Sequence, residues 1–307
     1  MGGLGVLVFF SISGFLVARS WNADPHAGRF AAKRLLRIWP GLAVVILLAA
    51  LVLGPLVSTL PLRDYVADPA FLRYFKNLIF KLQVSLPFTF NSNPFPNAVN
   101  GSLWTLPLEL RCYLVLGLLG CVGLMHRRWR WLLMAVMLFF TVAYMALPQA
   151  GSAWSNPWHW SLERRYPLEF GMFFMAGTLW AVFGLHENPR RARWMLISCW
   201  ILAAAALATN CNLLALWLVV PSTTVLFSCA STPVLRRAGR FGDLSYGVYI
   251  YAFPVQQTLI WLYREKLSWH LVLGLTLAVT LALAFASWHL VEKRALQWKP
   301  RRTRVPG

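Results

Sequence analysis

Three groups of polar residues interrupt an otherwise apolar chain. The first centres on Glu109, in Gly101-Ser-Leu-Trp104-Thr-Leu-Pro-Leu-Glu109-Leu-Arg-Cys-Tyr113. A carboxylate within an apolar run costs roughly 2.5–3.5 kcal/mol to insert into a bilayer, so it faces a cavity or a partner. Arg111, two residues on, lies about 200° round a helix from it and is not an i,i+4 partner. Glu109 therefore reads as a carboxylate lining a polar substrate cavity; the alternative is a buried structural carboxylate hydrogen-bonded to another helix. Pro107 is expected to free a carbonyl nearby and bend the helix. The second group is Arg29-Phe-Ala-Ala-Lys33-Arg34-Leu-Leu-Arg37-Ile-Trp39-Pro40. Arg29, Lys33 and Arg37 fall at i, i+4 and i+8 and share a helix face. They suit either anchorage to anionic lipid headgroups or a phosphorylated ligand, which guanidinium groups bind bidentately. The third is Gly242-Asp243-Leu-Ser245-Tyr246-Gly-Val-Tyr249. Here Ser245 or Asp243 suits a helix N-cap. Tyr246 and Tyr249, at i,i+3, read as one polar stripe or as interfacial anchors.

Other chemistries lack their residues. None of the six histidines stands in a ligand spacing such as HExxH, and no GxSxG elbow or Gly-rich phosphate loop occurs. The five cysteines form no CxxC pair and read as small apolar helix residues. No metal and no resident cofactor is expected.

The elements that carry these groups must be membrane helices. Of 307 residues, 58% are hydrophobic and 13% charged, with a mean hydropathy of +0.57. Soluble domains carry about 25% charged residues, so so little charge cannot cover a water-soluble surface. The same apolar content excludes intrinsic disorder. Apolar runs fall near 1–18, 41–60, 103–124, 131–147, 167–185, 195–209, 212–229, 244–263 and 269–290. The predicted fold is all-α, a polytopic transmembrane bundle of about nine spans, because only helices satisfy their own backbone in lipid. The runs at 195–209 and 212–229 predict a hairpin turning at Asn210-Cys211-Asn212. Residues 61–102, with five prolines, predict an extracytoplasmic loop with one surface helix near 70–84. In Phe9-Phe10-Ser11-Ile12-Ser13-Gly14-Phe15-Leu16, Ser11 and Gly14 are small enough for close helix packing.

The net charge of +19 would suggest nucleic acid in a soluble protein; here it reports orientation instead. Alternate connections gather Arg19, Arg29, Lys33, Arg34 and Arg37, then Arg127, Arg128 and Arg130, then Arg190, Arg191 and Arg193, then Arg236, Arg237 and Arg240. The tail at 291–307 adds Lys293, Arg294, Lys299, Arg301, Arg302 and Arg304, making twenty of the 29 basic residues on one side. That side is expected to be cytoplasmic, with the basic tail. The other side holds Arg63, Arg73, Lys76, Lys81, Arg164, Arg165, Arg264 and Lys266. Met1 is thereby placed outside, which predicts a further span before it.

Four segments, in order, resemble the acyltransferase-3 family of integral membrane acyltransferases. Phe9 to Leu16 matches its FFxxSGFL and Arg34-Leu-Leu-Arg37-Ile-Trp-Pro40 its RxxRIxP. Trp104 to Glu109 with Tyr113 matches W[ST]LxxE, and Ser245-Tyr246-Gly-Val-Tyr249-Ile then Pro254 matches SYxxYLxxxP. His289-Leu-Val-Glu292-Lys is similar to the closing VE+P, with Arg294 where proline is common. The resemblance covers nearly the whole chain, as a single domain over 1–307. It implies ten spans with cytoplasmic ends, a first helix with the family's histidine ahead of FFxxSGFL, and O-acylation of cell-surface glycans from acyl-CoA.

The expected function is thus a membrane O-acyltransferase in a bacterial inner membrane. It would acetylate a polysaccharide or its lipid-linked precursor with acetyl-CoA as co-substrate. Glu109 would be catalytic; Lys33, Arg34 and Arg37 would hold the acyl-CoA. Ser13, Trp104, Ser245, Tyr246 and Tyr249 would line the substrate cavity. The partners are then acyl-CoA, the glycan acceptor and the bilayer, with no nucleic acid. The alternatives are a transporter of an acyl or glycan intermediate, or an inactive, N-terminally truncated acyltransferase.

Overall fold

A computed structural model describes residues 2–146, 165–230, 237, 240, 242–263 and 266–300. Arg164, Arg236, Arg264, Arg301, Arg302 and Arg304, which entered the charge count, lie outside the described residues. Among the described residues all regular structure is helical, with two isolated bridges, Ser58 to Thr89 and Ser85 to Ala98. The helices are α1 (Gly2–Ala23), α2 (Ala27–Leu48), α3 (Leu62–Ala67), α4 (Pro69–Tyr74), α5 (Leu106–Cys121), α6 (Arg130–Ala146), α7 (Arg165–Val182), α8 (Pro189–Ala208), α9 (Asn212–Cys229), α10 (Ser245–Tyr263) and α11 (Trp269–Ser287). Each of the nine apolar runs falls on one of the longer helices. Among the described residues, six helical segments are long and apolar enough to cross a membrane: Gly3–Ala23, Ala27–Val57, Gly101–Cys121, Pro189–Ala208, Asn212–Cys229 and Trp269–Leu296. α6, α7 and α10 do not meet that measure of length and apolarity.

The chain forms two compact units, one from residues 1–31 and 108–232, the other from 32–107 and 233–307. In the first unit α1 packs along α7. Small residues set this seam: a Cβ on Gly14 would lie 1.9 Å from the carbonyl oxygen of Phe174, and one on Gly177 1.9 Å from that of Ser11. The backbones touch because neither helix has a side chain there. Phe10 stacks on Phe170 with ring centroids 5.1 Å apart. α8 and α9 form the predicted hairpin, turning through Asn210 in the left-handed region (φ 59°). Arg29 ends in this unit: its Nη2 and Nε donate to Asp24 at 2.7 and 3.0 Å, tying the turn between α1 and α2. It is therefore not part of a single basic face with Lys33 and Arg37.

In the second unit α10 packs against α11. Helix irregularities here are matched by side chains from elsewhere in the sequence. Pro254 inside α10 has no N–H, which leaves the carbonyl of Ile250 without its helical donor. Asn100 Nδ2 donates to that carbonyl at 2.9 Å. α2 continues through a π-turn, Ala49–Leu53, to Val57. The Gly54 N–H goes to Ala49, and Pro55 has none to give, so Ala50 O is left over. The Tyr65 hydroxyl donates to it at 2.9 Å.

The stretch 61–102 differs from the expected loop. It opens with two short helices and a 3-10 turn, Phe75–Ile79, ended by Phe80 in the left-handed region (φ 58°). Tyr65 and Tyr74 are fully buried. Asn77 organises the turn, donating to the carbonyls of Tyr74 and Gln83 and accepting from Gln83 N. Trp39 Nε1 donates to Leu78 O at 3.2 Å. Trp39 lies 18 residues, about 27 Å, before the end of the extended helix at Val57. The segment thus folds back alongside α2. Pro107 does not bend its helix as expected. The helix opens as a 3-10 turn, Gly101–Thr105, and Pro107 sits in the first α-turn, where no backbone donor is needed.

Candidate functional site

In the second unit the basic motif of α2 meets the start of α10 and the end of α11. Arg37 is the centre. Its Nη2 lies 2.7 Å from Asp243 Oδ2, and its Nη1 lies 3.7 Å from Glu292 Oε2. The two carboxylates are unlike: Asp243 is 51% exposed, Glu292 only 2%. Glu292 also accepts from Ser287 Oγ at 2.9 Å. The guanidinium stands 5.8 Å from the Tyr246 ring and 5.9 Å from the Trp288 ring, within cation–π range. Trp288 reaches this place because Gly242 has no side chain. A Cβ there would lie 2.1 Å from Trp288 Nε1, and its φ of 101° already favours glycine. A π-turn, Trp288–Glu292, carries both Trp288 and Glu292; such turns are frequent at functional sites.

Lys33 and Arg34 are half-buried on the same helix, and Lys299 joins them from the chain's end. Burial, followed by repulsion from Arg34, Arg37 and Lys33, lowers the Lys299 ammonium below its ordinary pKa, with Asp243 opposing. Among the described residues the cluster brings together Lys33, Arg34, Arg37 and Lys299 with Asp243 and Glu292, a predominance of cations that suits a polyanion. The Ser245 Oγ donates to Asp243 Oδ1 at 2.6 Å.

Tyr246 and Tyr249 do not form one stripe. The Tyr246 hydroxyl donates to Ile38 O at 2.8 Å. The Tyr249 hydroxyl donates to Ser102 O and lies 2.6 Å from Thr105 Oγ1, on the 3-10 turn that carries half-buried Trp104. One tyrosine ties α10 to α2 and the other ties it to the 101–105 turn.

The first unit holds the Glu109 carboxylate. Glu109 is 6% exposed, whereas Arg111 is exposed. The Tyr113 hydroxyl, one turn on, donates to Glu109 Oε1 and stands 3.2 Å from Ser13 Oγ on α1. The result is a continuous buried chain of serine hydroxyl, phenol and carboxylate. Such a chain can orient a hydroxyl and pass its proton toward a carboxylate.

The structure thus joins Ser13 to Glu109, and Arg37 to Ser245 and Tyr246. Sequence reasoning missed Tyr113, Asp243 and Glu292 as site residues. All three stood inside quoted motifs, but their roles depend on partners far along the chain.

A family model described as "Acyltransferase domain" matches residues 1–289. The chain is 32% identical over 309 residues to an "O-acetyl transferase" of Shigella phage Sf6, covering 96% of this chain and 85% of that one. It is 30% identical over 321 residues to "Nodulation protein 10" of Rhizobium leguminosarum bv. viciae, covering 95% and 82%. No solved structure matches it significantly. A family match over residues 1–289, two relatives aligned along most of their lengths and long apolar helices lead to one conclusion: the chain belongs to this acyltransferase family and is an integral-membrane O-acyltransferase.

Proposed function

We propose that the protein transfers an acetyl group from acetyl-CoA to a hydroxyl of a cell-surface polysaccharide or its lipid-linked precursor. The observation that carries this reading is the Arg37 cluster, where Lys33, Arg34, Arg37 and Lys299 outnumber Asp243 and Glu292. A CoA molecule brings a diphosphate and a further phosphate, groups that guanidinium and ammonium side chains bind. The relative called an O-acetyl transferase supports the acetyl donor. In the reaction the acceptor oxygen attacks the thioester carbonyl, the carbon–sulfur bond breaks and CoA departs as the thiolate, while a base takes the hydroxyl proton and returns it to the sulfur. Glu109, with Tyr113 and Ser13, orients that hydroxyl and draws its proton; general-base assistance of this kind contributes about 10²–10⁴-fold. Trp104 and Tyr249 line the acceptor's path. The nine apolar helices span a bacterial inner membrane, with the basic side and the C-terminal tail in the cytoplasm.

The test is transfer of labelled acetyl from acetyl-CoA to glycan in membranes containing the protein. Arg37→Ala is expected to raise the KM for acetyl-CoA at least tenfold, consistent with roughly 1.5–3 kcal/mol for a charged hydrogen bond. Glu109→Ala is expected to abolish glycan acetylation while CoA binding persists. Unchanged donor binding in Arg37→Ala would remove the cluster from the donor site, and acetylation surviving Glu109→Ala would remove Glu109 from catalysis.

A further inference from the structure

Arg37 holds two carboxylates in different ways. Glu292 is buried and bonded to Ser287, and it faces the guanidinium at 3.7 Å; neither its Oε2 nor Arg37 Nη1 makes a hydrogen bond. Asp243 is half exposed and takes Arg37 Nη2 at 2.7 Å. The exposed carboxylate therefore has the short contact and the buried one the long contact. Exposed ion pairs are worth little, whereas removing one partner of a buried pair is costly. Asp243 can leave Arg37 at small cost, and Glu292 cannot. On leaving, Asp243 keeps its hydrogen bond from Ser245 Oγ. The Tyr246 and Trp288 rings keep the guanidinium where it is.

We propose that Asp243 is a stand-in occupant of the donor site, displaced from Arg37 by a phosphate group of the acyl donor while Glu292 remains behind as counter-charge. This rests on the reading of the basic cluster as the acyl-CoA site. A phosphate offers the guanidinium two oxygens and more charge than the single carboxylate oxygen it replaces. Asp243 sets donor affinity by competing for Arg37.

The experiment measures CoA affinity of the full chain in phosphatidylcholine nanodiscs by isothermal titration. Asp243→Asn is expected to bind CoA about fivefold more tightly, the size of an exposed ion pair removed from competition. Asp243→Ser is the second neutral variant, with the same expectation. A gain in affinity is not a result that structural damage produces. Arg37→Ala is expected to lose at least tenfold. Loss in Arg37→Ala with no gain in either Asp243 variant would overturn the displacement and leave the donor reading standing. No loss in Arg37→Ala would overturn the donor reading itself. The measurement is repeated in nanodiscs containing phosphatidylglycerol, because a lipid headgroup has the same phosphate chemistry. A gain that persists there supports the donor as the occupant. A gain that disappears there assigns the displacing phosphate to lipid and overturns the proposal.

Discussion

Tyr113 turns the buried polar chain of the first unit on one oxygen. Its hydroxyl donates to Glu109 and stands 3.2 Å from Ser13 Oγ, so its loss separates a hydroxyl from a carboxylate without changing either. Tyr113→Phe is expected to cost about 1–3 kcal/mol, the usual penalty for removing a buried hydrogen-bonding partner, read from thermal unfolding in detergent. Acetyl transfer should fall with it while CoA affinity stays within twofold of the unsubstituted protein. A Phe variant with full transfer activity would show that the chain serves stability alone. Lys299 carries a second residue-scale consequence. Burial, then Arg34, Arg37 and Lys33, hold its pKa down, against Asp243. The folded protein thus binds this proton less tightly than the unfolded chain. The cost of the charge is fully present below the folded pKa and fades as pH rises through it. A bound polyanion pulls that pKa back up, so donor binding takes up a proton. CoA affinity is therefore expected to fall as pH rises from neutrality toward about 10, and Lys299→Met to flatten that slope. An equal slope in the Met variant would place the titrating group elsewhere.

Between α1 and α7 the glycines decide how close two helices come. Gly14→Ala places a methyl 1.9 Å from Phe174 O, and Gly177→Ala one 1.9 Å from Ser11 O. Each is expected to destabilise by about 1–3 kcal/mol, as overpacking does. The double variant should cost less than the sum, since helices already parted by one methyl admit the second. Gly171→Ala, with nothing within 4 Å of its Cβ, is the control and should not lower the unfolding temperature. This seam was legible: Ser11 and Gly14 are small residues in an apolar run. The helices were legible too, because hydropathy runs report burial in lipid directly. The departures have a common cause, a partner distant in sequence. Pro254 announces a missing donor, but nothing near it names Asn100 as the donor to Ile250. Tyr246 and Tyr249 share a helical spacing, yet one finds Ile38 and the other Ser102. Arg29 fits the spacing of Lys33 and Arg37, but Asp24, five residues before it, takes it first. Prolines in 61–102 suggested a loop, whereas the side chain of Asn77 folds part of it into a compact buried turn.

At the scale of the whole chain, the surplus of +19 makes a spatial prediction under the proposed orientation. Basic residues concentrate in alternate connections, and the proposed orientation would put Arg128 and Arg191 in the cytoplasm and Arg63 on the opposite face. All three are exposed, so single cysteines placed there in a protein lacking its five native cysteines report sidedness by reaction with a membrane-impermeant maleimide. Arg63→Cys is expected to react in intact cells; Arg128→Cys and Arg191→Cys are expected to react only after permeabilisation. The opposite pattern would invert the orientation and put the Arg37 cluster on the wrong side for a cytoplasmic donor. Lys81 tests the fold of the 61–102 stretch in the same assay. The charge count places it with Arg63, and it too is exposed. Yet Leu78, three residues earlier, is hydrogen-bonded to Trp39, about 27 Å back along the helix from Val57. A surface loop would let Lys81→Cys react from outside as fast as Arg63→Cys. A segment that folds back along α2 carries Lys81 away from that face. Lys81→Cys is therefore expected to react at least tenfold more slowly than Arg63→Cys in intact cells, and equal rates would return the stretch to the outer surface.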